Sequence, residues 1–218
     1  MGAIPLPPKK TVEEHARTQA EYLETKLEPA LAEARVGQRH VFFVDAAHFV
    51  MGSFLCCLWS VVRMMIRGGS GRKRYNVLGA WNAVTRELVT VVNDSYINAL
   101  SVCELLRKLA ALSLGAPITL VLDNARYQRC AVVQELAQSL GIELLFLPSY
   151  SPNLNLIERL WKFVKKKALN GRHYATFDQF QAAIDGCLDK VPTEYQKELE
   201  TLMTHQFQTW DKVSFLAA

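Results

Sequence analysis

Two short apolar runs, each stopping at an aspartate, constrain this chain more than any other feature. Residues 40–50 read "HVFFVDAAHFV", with Asp45 closing the run "VFFV", and residues 118–123 read "ITLVLD", ending on Asp123. Continuous β-branched and aromatic runs this short suit buried strands. The second run is followed by a helical stretch over about 127–140, closed by Gly141, and by another apolar run, "IELLFL", at 142–147. Strand, helix, strand at this spacing predicts a βαβ unit with parallel strands and a right-handed crossover. Open α/β sheets collect their ligands at the carboxyl ends of such strands, which is where Asp123 falls. An aspartate just after a strand also caps turns, so neither acid taken alone decides between the two roles.

The remaining elements fall around this unit. "PLPPKK", within residues 1–10, resembles a linker, and residues 11–36 read as a polar helix with weak apolar spacing at Leu23, Leu27 and Leu31. "YNVLGAW" and "ELVTVV" read as two strands parted by the polar "NAVTR". Residues 97–114 carry helical periodicity and stop at Gly115 and Pro117, and further helices are expected near 156–169, 177–189 and 193–206. This order predicts an α/β fold: a mixed sheet of five strands flanked by helices on both faces. The expected organisation is a linker and helix over 1–38, a catalytic domain over 39–210 and a tail over 211–218. No glycine-rich phosphate loop follows a strand, which leaves nucleotide binding without support.

Bulk properties narrow the function only coarsely. A chain of 218 residues, half of them apolar and 21% charged, has the balance of a globular protein with one sizeable core. Its net charge of +4 permits a phosphate-bearing partner without requiring one. The five cysteines are odd in number and form no C-x-x-C pair with a histidine partner, which argues against a disulfide framework or a structural zinc site. The longest apolar run, from Phe49 to Ile66, is broken by Gly52, Ser53, Ser60 and Arg63, so no membrane span is expected. With no apolar signal region at the start, a cytoplasmic location is expected.

A third acid, Glu158, has two competing explanations. "Asn155-Leu-Ile-Glu158" has the shape of a capping box, in which Asn155 caps the helix and Glu158 reaches back to it. Alternatively, Glu158 is a ligand on an amphipathic helix whose apolar stripe is Ile157, Leu160, Trp161, Val164 and Ala168. Lys162, Lys165 and Lys166 lie four, seven and eight residues on, and so share its face. Such a row is either a solvated face or a track for a phosphate backbone. Three converging carboxylates suit phosphodiester chemistry, because two divalent ions held by hard oxygen ligands stabilise both the attacking and the leaving oxygen. Without metal such acids repel, and at least one should have a raised pKa.

"VLDNARYQR" followed by "GIELLFLPSYSPNLNLIERLWKFVKK" closely resembles the catalytic core of mariner-type DDE transposases, in the branch found in bacterial insertion sequences, and "FFVDAAHF" resembles that family's first acidic motif. Between the second and third acids lie 158 − 123 − 1 = 34 residues, the family's hallmark spacing. The resemblance implies an RNase H-like fold, related to retroviral integrases, with the first two acids on neighbouring strands and the third on a helix beside them. It also implies that Asp45, Asp123 and Glu158 are the catalytic and metal-binding acids, holding two Mg²⁺ (or Mn²⁺). The implied reaction is cleavage of double-stranded DNA at the element's ends, with transfer of the 3′-hydroxyls into target DNA, usually at TA. A homodimer on DNA is implied, and a helix-turn-helix domain, separate or joined by frameshifting, would find the ends. The family usually has His where Gln128 stands and Pro where Leu156 stands.

Further candidates are weaker. Arg67, Arg72, Lys73 and Arg74 belong to a glycine-rich basic loop that either grips DNA or is simply solvated. Arg126 is a candidate phosphate contact. His48 and Asn124 are candidates to support the acids, against a structural histidine and an Asx-type turn. Trp59, Trp81 and Trp161 read as core residues. The rival readings are another RNase H-like nuclease, such as a ribonuclease, and a truncated or domesticated transposase fragment that binds without cutting.

Overall fold

A computed structural model describes residues 11–52 and 73–208. The linker "PLPPKK", Trp59, Cys56, Cys57, Arg67, Arg72, most of the apolar run from Phe49 and the tail from 211 lie outside the described residues. Five strands form one sheet: β1 (His40–Val50), β2 (Arg74–Asn82), β3 (Leu88–Asn93), β4 (Ile118–Leu122) and β5 (Ile142–Phe146). Their order is β3-β2-β1-β4-β5. β2 runs antiparallel to both β1 and β3, whereas β4 runs parallel to both β1 and β5, so the sheet is mixed.

Alternation along the central strands explains why helices cover both faces. On β1, Val41, Phe43, Ala47 and Phe49 point to one face, where they pack with α2 (Glu28–Arg35), α5 (Ile157–Val164) and α6 (Phe177–Asp189). Phe42 and Val44 point to the other, against α3 (Ala99–Ala111) and α4 (Ala131–Ser139). Every residue of β4 is buried, as its uninterrupted apolar run requires. No helix among the described residues is long and apolar enough to cross a membrane.

Several helices depart from the sequence expectation in instructive ways. Residues 11–36 form α1 (Val12–Tyr22), a π-helical turn at Leu23–Leu27, and then α2. Thr11 and Glu14 close a capping box at the start of α1. The stretch expected at 127–140 becomes helical only at Ala131, because Ala125 and Arg126 spend their carbonyls on tight turns to Gln128 and Arg129, and Cys130 then opens the helix as its N-cap. The expected 156–169 helix is α5 followed by a π turn at Lys165–Leu169, and the expected 193–206 helix shrinks to α7 (Gln196–Leu202).

α5 is held at its N-terminal end and along its underside. At its start, the Asn155 amide donates to the Val44 carbonyl at 3.2 Å, one residue before Asp45. In its first turn, Arg159 donates to the carbonyls of Leu202, Thr204 and Gln206 at 3.1, 2.8 and 2.7 Å, strapping the segment after α7 to the helix. Its underside rests on β2 at Gly79. A methyl group there would lie 2.7 Å from two carbons of the Trp161 ring and 3.0 Å from Cδ1 of Ile157. Only a residue without a side chain lets the helix lie this close.

Candidate active site

Strand parity and register gather the acids. Asp45 shares its β1 face with Phe43 and Ala47, the face that α5 covers. Asp123, two residues after Val121, continues the same face of β4. Val44 pairs with Leu122 at the end of the parallel ladder, so the next residue on each strand is an acid, Asp45 beside Asp123. Glu158, in the first turn of α5, lines the same cleft of about 360 Å³, together with Asn124, Ala125, Asn155 and the loop from Leu147 to Pro152.

The electrostatics are those of acids packed without counter-charge. Among the described residues no Lys, Arg or His forms an ion pair with any of the three. Asp45 is half-buried, and its pKa is pushed up to about 7, first by burial, then by the charges of Glu158 and Asp123. Burial also raises that of Asp123. Asp123 accepts from the Ala125 N–H at 3.3 Å, an Asx-type turn that points its carboxylate along the cleft. Among the described residues no group of three or more His, Cys, Asp and Glu side chains is set to hold a metal ion as it stands. The acids line one cleft without closing on a single point.

The other expected residues are dispersed. His48, three residues after Asp45, faces the opposite side of β1 and bonds Asn76 Oδ1 at 2.6 Å through Nδ1, so it does not line the cleft. Asn124 does line it, but its amide donates to the Leu147 carbonyl, tying the end of β4 to the end of β5. The capping box that competed as an explanation of Glu158 is absent: α5 has no side-chain cap, and Asn155 is committed to β1 instead. Leu156, where the family usually has proline, is wholly buried in the core. Gln128 is also wholly buried, and its amide comes close enough to Asp123 to ease that carboxylate's charge without closing a hydrogen bond of normal geometry.

Lys162, Lys165 and Lys166 are exposed, as is Arg126. Lys73 and Arg74, at the start of β2, line a second cleft with Asp94, Ser95, Tyr96 and Phe177, and the Lys73 ammonium sits 5.4 Å from the centre of the Phe177 ring. Trp81 and Trp161 are buried core residues.

Two contributors escaped the sequence reading. Gly79 carries no chemistry, and its signal was a glycine inside an otherwise bulky strand. α1 contributes His15 and Gln19, both buried, which bond to the cleft loop at the Tyr150 carbonyl, Ser151 Oγ and Asn153 Oδ1. A histidine and a glutamine one turn apart on a polar helix gave no signal of that.

A mixed sheet covered on both faces, with Asp45 in the middle of β1 beside Asp123 at the end of the adjoining β4, defines an RNase H-like α/β fold. The profile of the DDE superfamily endonucleases matches residues 63–181, more than half of the chain, and the chain belongs to that family. That span includes Asp123 and Glu158; Asp45 precedes it. The fold is that of the Mos1 mariner transposase catalytic domain, with a TM-score of 0.58 at 14% identity over 94% of this chain and 100% of that one. The Mos1 transposase in a paired-end complex with the left transposon end superposes with a TM-score of 0.64 at 14% identity, over 95% of this chain and 68% of that one. An uncharacterized protein of Sinorhizobium fredii, y4pE/y4sA, is 36% identical over 64 residues, 29% of this chain. The chain spans less than half the length of that relative, at 45%.

Proposed function

We propose that this chain is the catalytic domain of a cut-and-paste transposase, cleaving double-stranded DNA at the ends of its element and joining the freed 3′-hydroxyls to target DNA, with TA as the expected target. The observation that carries this reading is the convergence of Asp45, Asp123 and Glu158 on one cleft, from two adjoining parallel strands and the helix laid across them. Mos1, which shares the fold, is known in complexes with transposon ends and in structures containing Mn or Mg.

The donor set fits divalent cations. Three carboxylates share a cleft with no cation from the described residues to balance them, and their hard oxygens are what Mg²⁺ or Mn²⁺ prefers. Asp45, Asp123 and Glu158 would hold such ions, two in number, and when bound the ions supply charge stabilisation to both the attacking and the leaving oxygen. The chain's own part is positional. Asn155 fixes the start of α5 to the backbone beside Asp45, the Asx turn aims Asp123, and Asn124 braces the two strand ends that form the cleft floor. The exposed Lys162, Lys165 and Lys166 lead away from Glu158 as contacts for the DNA backbone, joined by Lys73, Arg74 and Arg126. The working form would be a dimer pairing two ends, with recognition of the end sequences supplied by a helix-turn-helix domain.

Nicking of supercoiled plasmid in Mg²⁺ or Mn²⁺ tests the reading. Wild type should nick, EDTA should stop it, and Asp123→Asn should lower the rate by at least 100-fold, the scale expected when transition-state charge loses its stabilisation. Equal rates for wild type and Asp123→Asn would remove the catalytic claim.

A further inference from the structure

The loop that closes the cleft opposite α5 holds one residue whose position the acids do not explain. Tyr150 is the sole aromatic among the described cleft-lining residues and is 45% exposed. Its backbone has φ +58°, a left-handed conformation that a tyrosine keeps only where its surroundings impose it. Strain of this kind concentrates where a side chain must be presented to a ligand.

The surroundings come from the other end of the chain. His15 of α1, buried, sets Nε2 3.2 Å from the Tyr150 carbonyl and 2.9 Å from the Gln19 amide nitrogen, and as the Nε2–H tautomer it donates to the carbonyl. One turn later Gln19, also buried, donates to Ser151 Oγ at 2.9 Å, and its carbonyl accepts from the Asn153 amide at 3.0 Å. Asn153 in turn donates to the Gln208 carbonyl at 2.9 Å. Residues 150, 151 and 153 are thus held from behind by a buried polar network, while the Tyr150 side chain remains on the open side. Buried side-chain bonds of this kind hold the loop in one geometry.

We propose that Tyr150 packs its ring on a nucleotide beside the scissile phosphate, and that His15 and Gln19 are positioning residues that hold it there. The inference rests on the DNA-cleaving reading of the same cleft. A nucleotide that leaves the duplex stack at the cut site presents a π-face whatever its base, so the contact would steady the strand without selecting its sequence. The phenolic hydroxyl plays no part in it.

Ultraviolet crosslinking of the full chain to mixed-sequence duplex DNA substituted with 5-bromouracil, with the attached peptide mapped by mass spectrometry, tests the contact beside the plasmid-nicking assay. Tyr150 should carry the label in wild type and in Asp123→Asn, which retains the ring while losing the acid. Tyr150→Leu, a change at an exposed position, should lose the label and nick about 5- to 150-fold more slowly, the fold-change for one lost base–aromatic stack. Tyr150→Phe, which keeps the ring, should restore the label lost in Tyr150→Leu, and His15→Ala should weaken labelling at Tyr150. Crosslinks confined to other peptides, or wild-type nicking by Tyr150→Leu, would overturn the inference and leave the cleaving reading standing. Absence of both crosslinking and nicking in wild type would overturn the two together.

Discussion

Replacing Gly79 by alanine puts a single methyl group into the contact on which α5 rests. Its carbon would meet Cη2 and Cζ2 of Trp161 at 2.7 Å and Cδ1 of Ile157 at 3.0 Å. Carbon atoms pack at roughly 3.5–4.0 Å, so the indole must retreat by about 1 Å. It cannot easily do so alone, because the ring is 3% exposed and stands edge-on to Phe49, with centroids 6.4 Å apart. The helix moves instead, and Glu158 moves with it. Overpacking of this size costs about 1–3 kcal/mol of stability. A shift of about 1 Å in a catalytic group costs on the order of 100-fold in rate. Urea denaturation and plasmid nicking measure the two effects separately. Trp161→Phe in the Gly79→Ala background should recover part of both losses, since the smaller ring vacates the contested space. A double-mutant cycle with no coupling between positions 79 and 161, or an unchanged nicking rate in Gly79→Ala, would refute the packing argument.

Two other outcomes follow from the charges. Asp45 titrates near 7 in the folded chain against 3.8 as a free side chain, so the metal-free protein loses stability at this group as pH rises through about 4 to 7. Asp45→Asn escapes that loss: in EDTA its stability relative to wild type should grow between pH 4 and pH 8, by up to about 4 kcal/mol, and a gap independent of pH in urea titrations would contradict the assignment. Changing Lys162, Lys165 and Lys166 together to alanine should lower the salt slope of DNA binding by about 3, as three lost phosphate contacts require. An unchanged slope in fluorescence anisotropy would return the lysines to the role of a solvated face.

Legibility in the sequence followed the range of the interactions. β4, α4 and β5 could be read as a parallel βαβ unit because each element carries its own periodicity, and α6 falls where its apolar spacing puts it. That the three acids share one cleft followed in the sequence only from the resemblance of the motifs around them, and the register of β1 on β4 that sets Asp45 beside Asp123 is visible only in the fold. Local chemistry misled at Asn155, where a good capping signal competes with a carbonyl on β1 that is 111 residues away in sequence. The contact of Gly79 with Trp161 and the bonds from His15 and Gln19 to the cleft loop were unreadable for the same reason. Each depends on where two distant segments meet, which no window of neighbouring residues encodes. The π turns at 23–27 and 165–169 likewise have no composition that separates them from the α-helices they interrupt.

The strap from Arg159 has a consequence for how the enzyme is born. All three acids have been translated once residue 158 is made, yet the guanidinium next to Glu158 finds its carbonyl partners only at Leu202, Thr204 and Gln206. During synthesis, domains fold as their last packing segments leave the ribosome. A nascent chain, or one cut short before those carbonyls emerge, therefore carries Asp45, Asp123 and Glu158 while α5 is still unfastened. The strap thus makes emergence of the segment through Gln206 a condition for a firmly seated α5.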